Sequence, residues 1–282
     1  MKARLIWFIT TVLALAGCAI PAANTPYPDP IQISPVRPAD AILLGEQHDA
    51  PDHQRIHRFV VETLARQQTL AALALEMAPQ GQSTEKLDAQ ADEDMVRKAL
   101  QWSNKTWSWD TYGPVVMAAV RAGVPVFGAN LPPARLRETM ADAGFDLLLP
   151  GPALALQQQR IRVGHCDLLP ESQVAPMTRI QIARDMAMAQ TVRQAARAGK
   201  TVVLLAGGSH VDRRLGIPQH LPLEFNAKAV LLHGGNVPVA EQNAMEFDQF
   251  WATRPAPPAD HCADFKAHQA KSVAASPTPK TP

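Results

Sequence analysis

Two carboxylates and two imidazoles, Glu46, His48, Glu76 and His210, stand at or just after short apolar runs. Such a set can transfer protons as acid and base, or hold a divalent metal ion. A carboxylate beside a histidine raises the pKa of the ring and fixes its tautomer. The spacing alone is a weak signal. The plainer alternative has Glu46 and Glu76 bonded to loop backbone, with His48 a satisfied neighbour. His53 and His57 are separated by four residues on an expected helix and share one face. On a solvated face such a pair usually binds nothing. His165, beside Cys166, is expected to be structural. The chain has no CxxC, HExxH, Walker loop or GxSxG. Ser209, in Gly207-Gly208-Ser209-His210, lacks the spacing of a nucleophile elbow, which argues against a serine hydrolase.

A second stretch, WSNKTWSWDTYGP from Trp102 to Pro114, gathers three of the five tryptophans and one of the two tyrosines. Indole and phenol rings make an apolar surface with polar tips, suited to a planar ligand. A phenolate is a hard anionic ligand that favours ferric iron. If haem iron is held by a tyrosine of the folded part, Tyr112 must hold it, because Tyr27 lies in a proline-rich stretch. The alternative is that these aromatics fill the seam between a helical lobe and a sheet.

Short apolar runs alternating with helical patterns must position these groups. Strands are expected at Ala41–Gly45, Leu70–Leu75, Val124–Ala129, Thr201–Ala206 and Ala229–Leu232. Helices are expected over 52–67, Thr111–Ala122 and one long stretch from 173 to 198. Strands separated by helices imply right-handed crossovers and an α/β fold, with a mainly parallel sheet, helices on both faces and a helical lobe. Ligands of such sheets gather at the carboxyl ends of the strands. Four strand ends would deliver Glu46, His48, Glu76, Asn130 and His210 to one rim.

The flanks carry an address. Lys2 and Arg4 precede an apolar run from Leu5 to Ala16, too short to span a bilayer comfortably and typical of a signal-peptide core. Leu15-Ala16-Gly17-Cys18 has the order of a bacterial lipobox, so residues 1–17 are expected to be a lipoprotein leader and Cys18 to be acylated. Each buried acyl CH2 contributes about 0.8 kcal/mol of membrane attachment. Residue 19 is Ala rather than Asp, which points to the periplasmic face of the outer membrane. Residues 18–38 hold six prolines and are expected to be a tether. A folded domain is expected over 39–265, and the Pro-, Ser- and Ala-rich tail 266–282 is expected to be disordered. Without the leader the chain carries 25 basic against 26 acidic residues, a near-neutral balance that does not advertise nucleic acid as a partner. Cys166 and Cys262 remain, an even pair that suggests a disulfide in an oxidising compartment.

The motifs L-L-G-E-Q-H-D-A-P-D-H-Q at 43–54, A-L-E-M at 74–77 and W-D-T-Y-G-P at 109–114 resemble those of the ChaN-like haem-binding lipoproteins. So do P-V-F-G-A-N-L-P at 125–132, A-R-D-M-A-M-A at 183–189 and L-A-G-G-S-H-V at 205–211. The likeness covers roughly residues 40–260, and the wider superfamily includes erythromycin esterases and Tiki proteases. It implies a haem-binding lipoprotein serving iron or haem uptake, with haem as cofactor and a homodimer that forms on haem binding. It implies Tyr112, in W-x-x-Y-x-P, as the iron ligand. A histidine or lysine from a partner chain would meet the propionates. His48, His53 and Lys105 are candidates through their position near the rim. Two departures lie at that rim: A-G-G-S-H-V stands for an expected A-G-N-G-H-V, and Pro133 stands where the N-L-P-R motif carries arginine, with Arg135 two residues on. The superfamily's enzymes imply the alternative of a metal-dependent or acid–base hydrolase using Glu46, His48, Glu76 and His210.

Overall fold

The structure is a computed structural model that describes residue 36 and residues 38–235, 246–255, 260–263 and 266–267. The leader, Cys18, most of the tether and nearly all of the tail lie outside the described residues. The elements run β1 (Ala41–Glu46), α1 (Pro51–Arg66), β2 (Leu70–Pro79), α2 (Glu93–Ala99), α3 (Trp109–Arg121) and β3 (Val126–Asn130). There follow α4 (Leu136–Ala141), α5 (Gly151–Gly164), α6 (Glu171–Ala195), β4 (Thr201–Gly207), β5 (Ala227–Gly234) and β6 (Gln249–Thr253). The strands form one sheet in the order β3-β2-β4-β1-β5-β6, and every neighbouring pair is parallel.

Strand periodicity splits the core in two. Ile42, Leu44, Leu73, Leu75, Val203 and Leu205 point to one face, where they pack against Ile56, Val60 and Leu64 of α1 and Val116 and Val120 of α3. Leu43, Ala72, Ala74, Val202 and Leu204 point to the other face and meet Met188 and Val192 of α6. Both faces are covered, so the strands read as continuous apolar runs, as parallel strands do. The helical lobe is built by α4 and α5, which pack against α6.

Four differences from the sequence reading have physical causes. β2 does not stop at Leu75. It runs on through Glu76 to Pro79 across a register shift against β3, so Glu76 sits within the strand rather than beyond its end. β6 was not foreseen, being a five-residue edge strand with only Trp251 and Thr253 buried. α5 was not foreseen either, because of its 14 residues only Gln157 and Ile161 are buried and no apolar stripe marks it. Val36, assigned to the tether, is fully buried in the core under the α1 face.

Cys166 and Cys262 form a disulfide across a sequence separation of 96. Two further ties bind the carboxyl-terminal strand to α1. Arg254 donates two hydrogen bonds to Asp52, each 2.8 Å, and these guanidinium bonds hold the Asp52 carboxyl down to about 2. His53 and Thr253 meet at 3.0 Å.

Candidate functional site

Glu46 ends β1 and is the hub of the first cluster. Its Oε1 accepts the Tyr112 hydroxyl at 2.5 Å and lies 2.6 Å from His48 Nδ1. Its Oε2 accepts from Gln54 Nε2 at 2.7 Å and stands 3.4 Å from His57 Nδ1. Gln54 and His57 come from α1, and Tyr112 comes from α3, so three elements converge on one buried carboxylate. Burial alone would raise the Glu46 carboxyl. The His48 hydrogen bond and the His57 charge outweigh it and leave the group below the ordinary carboxylate range. His48 is pulled down by burial and pushed up by the Glu46 bond and the Glu76 charge, and ends above an ordinary histidine. It is the accessible member, with 40 % of its side-chain surface exposed against none for Glu46.

The second cluster lies under the α6 side of the rim. Glu76 accepts the Gly207 backbone N–H at 2.7 Å and stands 3.4 Å from His210 Nε2. His210 Nδ1 is 2.5 Å from Asp185 on α6, with Gln181 Nε2 at 3.1 Å. Burial opposes charge on His210, but the two flanking carboxylates raise it to about 10, so the ring is an imidazolium at neutral pH. Glu76 is correspondingly held down to about 2, since the attraction of His210 outweighs burial. Asp185 is raised by burial to about 6 despite the same partner. The clusters meet at Gly207, where an added Cβ would stand 3.1 Å from His48 Nε2 and 3.6 Å from Glu76 Oε2. A methyl there would crowd the His48 ring by a few tenths of an ångström and make ordinary contact with Glu76.

The aromatic stretch forms the lid of the first cluster. Trp102 Nε1 donates to the Trp107 carbonyl, Asn104 accepts the Trp109 N–H, and Trp109 Nε1 donates to Glu93, which fixes the loop into α3. Trp107 stands edge-on to both His48, at 4.7 Å between centroids, and Tyr112, at 5.9 Å. Trp109 and Tyr112 are buried, whereas Trp102 and Trp107 are partly exposed. The aromatics therefore do fill the seam between α3 and the sheet, and Trp107 also edges the surface. Beside His48 a groove of about 400 Å³ runs between α1 and α3, lined by Gln54, Arg55, Arg58, Asp110 and Pro114. A second groove of about 540 Å³ shares Arg58, Asp110 and Pro114 and continues along α3 to Arg121.

Glu46, His48, Glu76 and His210 are brought together as the sequence leads one to expect. Asn130 joins them through its Nδ2, which donates to the Glu76 carbonyl at 2.9 Å. Tyr112 belongs to the cluster, but its hydroxyl is covered: the residue is 2 % exposed and lies beneath His48 and Trp107. Burial and the Glu46 charge hold its proton on, raising the phenol well above its ordinary value. His53 must be corrected. It is fully buried, its Nδ1 accepts the Gln47 N–H at 2.9 Å, and its Nε2 faces Thr253. Both ring nitrogens are engaged, and burial holds the ring down to about 4, so it is a neutral structural tie rather than a ligand group. Lys105 is exposed on the loop before α3. His165 caps its own helix, with Nδ1 at 2.7 Å from the Ile161 carbonyl. Among the described residues, no group of three or more His, Cys, Asp or Glu side chains is disposed to hold a metal ion. Sequence reasoning missed Asp185, Gln54 and the role of His57. Asp185 stands in the A-R-D-M-A-M-A motif, and that was its one available signal.

A family model for haem-binding uptake proteins, ChaN, of the Tiki superfamily matches residues 33–221. Among solved structures, the chain is similar to ChaN of Campylobacter jejuni, described as binding haem cofacially. The two are 24 % identical, with a TM-score of 0.57, over 71 % of this chain and 84 % of that one. It is more distantly similar to the type III effector HopBA1, at 14 % identity and a TM-score of 0.42 over 77 % and 88 % of the two chains, too far to carry an argument. No curated protein matches the sequence significantly.

Proposed function

The chain belongs to the ChaN family of haem-binding uptake proteins in the Tiki superfamily, and from that premise we propose that it captures haem for iron or haem uptake at the rim formed by Tyr112, Glu46 and His48. The single observation that carries the reading is the Tyr112 hydroxyl, 2.5 Å from the Glu46 carboxylate. No other phenol stands among the described residues, and the Glu46 carboxylate that it touches could take its proton once a cation stabilises the phenolate.

The residues present fit a ferric porphyrin by their donor chemistry. When bound, ferric iron supplies a Lewis acid that a phenolate can ligate, and such a cation inverts the local pKa balance. Tyr112 would hold the iron, and Glu46 would accept the phenolic proton and hold it within the cluster. His48 and Trp107 cover the phenol. His48 stands on the exposed loop after β1, and opening the phenol to the adjoining groove would require its ring to swing aside. Arg55 and Arg58 edge that groove and offer charge to carboxylates. His48 and the exposed Lys105 complete the donors near the opening.

Hemin titration of the purified protein tests this. A high-spin ferric spectrum with a phenolate charge-transfer band is expected for the native chain and for His48→Ala, and its loss is expected for Tyr112→Phe. A Tyr112→Phe spectrum identical to that of the native chain removes the ligand assignment. The same titration followed by light scattering tests haem-linked dimerisation, which is expected to double the mass. The acyl anchor at Cys18 and the outer-membrane address rest on the Leu15–Cys18 tetrapeptide. Palmitate labelling of the native chain but not of Cys18→Ala is the expected result.

The half-exposed His48, backed by Glu46 and facing Glu76 and the His210 imidazolium across Gly207, favours a second reading as an acid–base hydrolase. Ester or amide turnover that is independent of haem, and abolished in His48→Ala, would establish it.

A further inference from the structure

A separate cavity of about 300 Å³ opens on the α6 side of the sheet, where β2 and β3 end. Its volume is that of a small-molecule site. Leu131, Phe145, Ala183 and Met186 give it apolar walls, and Met186 is left 37 % exposed there. Arg135 and Arg193 stand at the same cavity. Both are exposed, and no ion pair or side-chain hydrogen bond engages either among the described residues. They come from different elements, the turn before α4 and the last turn of α6. Gln80 is fixed beside them by the Ala187 carbonyl at 3.0 Å.

A third feature separates this cavity from an ordinary pair of surface cations. His220 lines it, and its Nε2 is buried with no hydrogen-bond partner among the described residues. A buried polar atom left unpaired costs about 1–3 kcal/mol, so native folds rarely keep one without a ligand or water to meet it. Burial holds the His220 ring down to about 4, which leaves it neutral at pH 7. Unpaired arginines suit a carboxylate, which two guanidinium groups can clamp through charge-assisted bonds. The apolar walls suit a hydrocarbon tail.

We propose that this cavity binds a small amphipathic carboxylate of the medium-chain fatty-acid class, its head group between Arg135 and Arg193 and its tail against Leu131, Phe145 and Met186. Arg135 is thereby given a task at the very place where the sequence departs from the N-L-P-R pattern. The site is independent of the Tyr112 rim and does not rest on the haem reading.

The test uses the folded chain labelled with 13C at its methionine methyl groups, with the Met186 signal assigned through Met186→Leu. Octanoate is expected to shift the Met186 resonance saturably. The Arg135→Gln/Arg193→Gln double variant is expected to weaken binding at least about tenfold. Both arginines are exposed, so an unchanged circular dichroism spectrum is expected to accompany that loss. Octanol is expected not to bind, and Tyr112→Phe is expected to leave octanoate binding unaltered. The proposal is overturned by a non-saturating shift, by octanol binding as tightly as octanoate, or by an arginine variant of native affinity. Octyl phosphate displacing octanoate at lower concentration would overturn the carboxylate assignment. Loss of octanoate binding in Tyr112→Phe would merge the two sites and overturn the proposal as well.

Discussion

A phenol that donates to a buried carboxylate at 2.5 Å keeps its proton, because burial and the neighbouring charge both penalise the phenolate. If a cation stabilised the phenolate, the same contact would make Glu46 the acceptor of its proton. Two consequences can be measured. Glu46→Gln removes the charge that raises His48, so the His48 ring is expected to titrate lower, as read from its imidazole proton shifts. Tyr112→Phe removes one donor to a charged group and is expected to cost about 1–3 kcal/mol in urea unfolding without altering the slope. His53 supplies a pH dependence of its own. It titrates near 4 in the fold against 6.5 for the unfolded ring, so the unfolded chain takes the proton first as pH falls. The stability it confers is full above pH 6.5 and lost between about 6.5 and 4. His53→Gln can keep both contacts and does not titrate, so its thermal midpoint is expected to fall less steeply across that window than that of the native chain.

Gly207 shows how an element tolerates one residue type at its end. It closes β4 at φ −58° and ψ 147°, an extended conformation open to any residue, so its role is clearance and not backbone freedom. Gly207→Ala is expected to leave the strand formed and to push the His48 ring away, read as a changed His48 titration with a stability loss under about 1 kcal/mol. Most of this architecture was legible in the sequence. Leu43, Leu44, Val203 and Leu204 lie in unbroken apolar runs, because both faces of a parallel sheet are covered, and the residues after those runs had to meet at one edge. The illegible parts lacked periodicity or length. α5 shows no apolar stripe, β6 is short, and Asp185 is a lone acid in the middle of a 25-residue helix, marked only by its motif. The burial of Tyr112 was not legible either. A tyrosine's type announces both a core aromatic and a ligand, and only the packing of Trp107 and His48 over it decides which is presented.

At the scale of the molecule, the carboxyl-terminal segment is stitched down at three points: Asp52 to Arg254, His53 to Thr253 and Cys166 to Cys262. The disulfide closes a loop of 96 residues, for which chain entropy allows up to about 4–5 kcal/mol of stabilisation. Reduction is expected to lower the urea midpoint accordingly, measured with and without a thiol reductant. The all-parallel sheet has a further consequence, because it gives the molecule a top and a bottom. Val36 and Ala41 enter at the foot of the strands, while Glu46 and Gly207 stand at the summit. Whatever the segment ahead of Val36 is tied to therefore attaches at the base, at the far end of the strands from the clustered carboxylates and imidazoles.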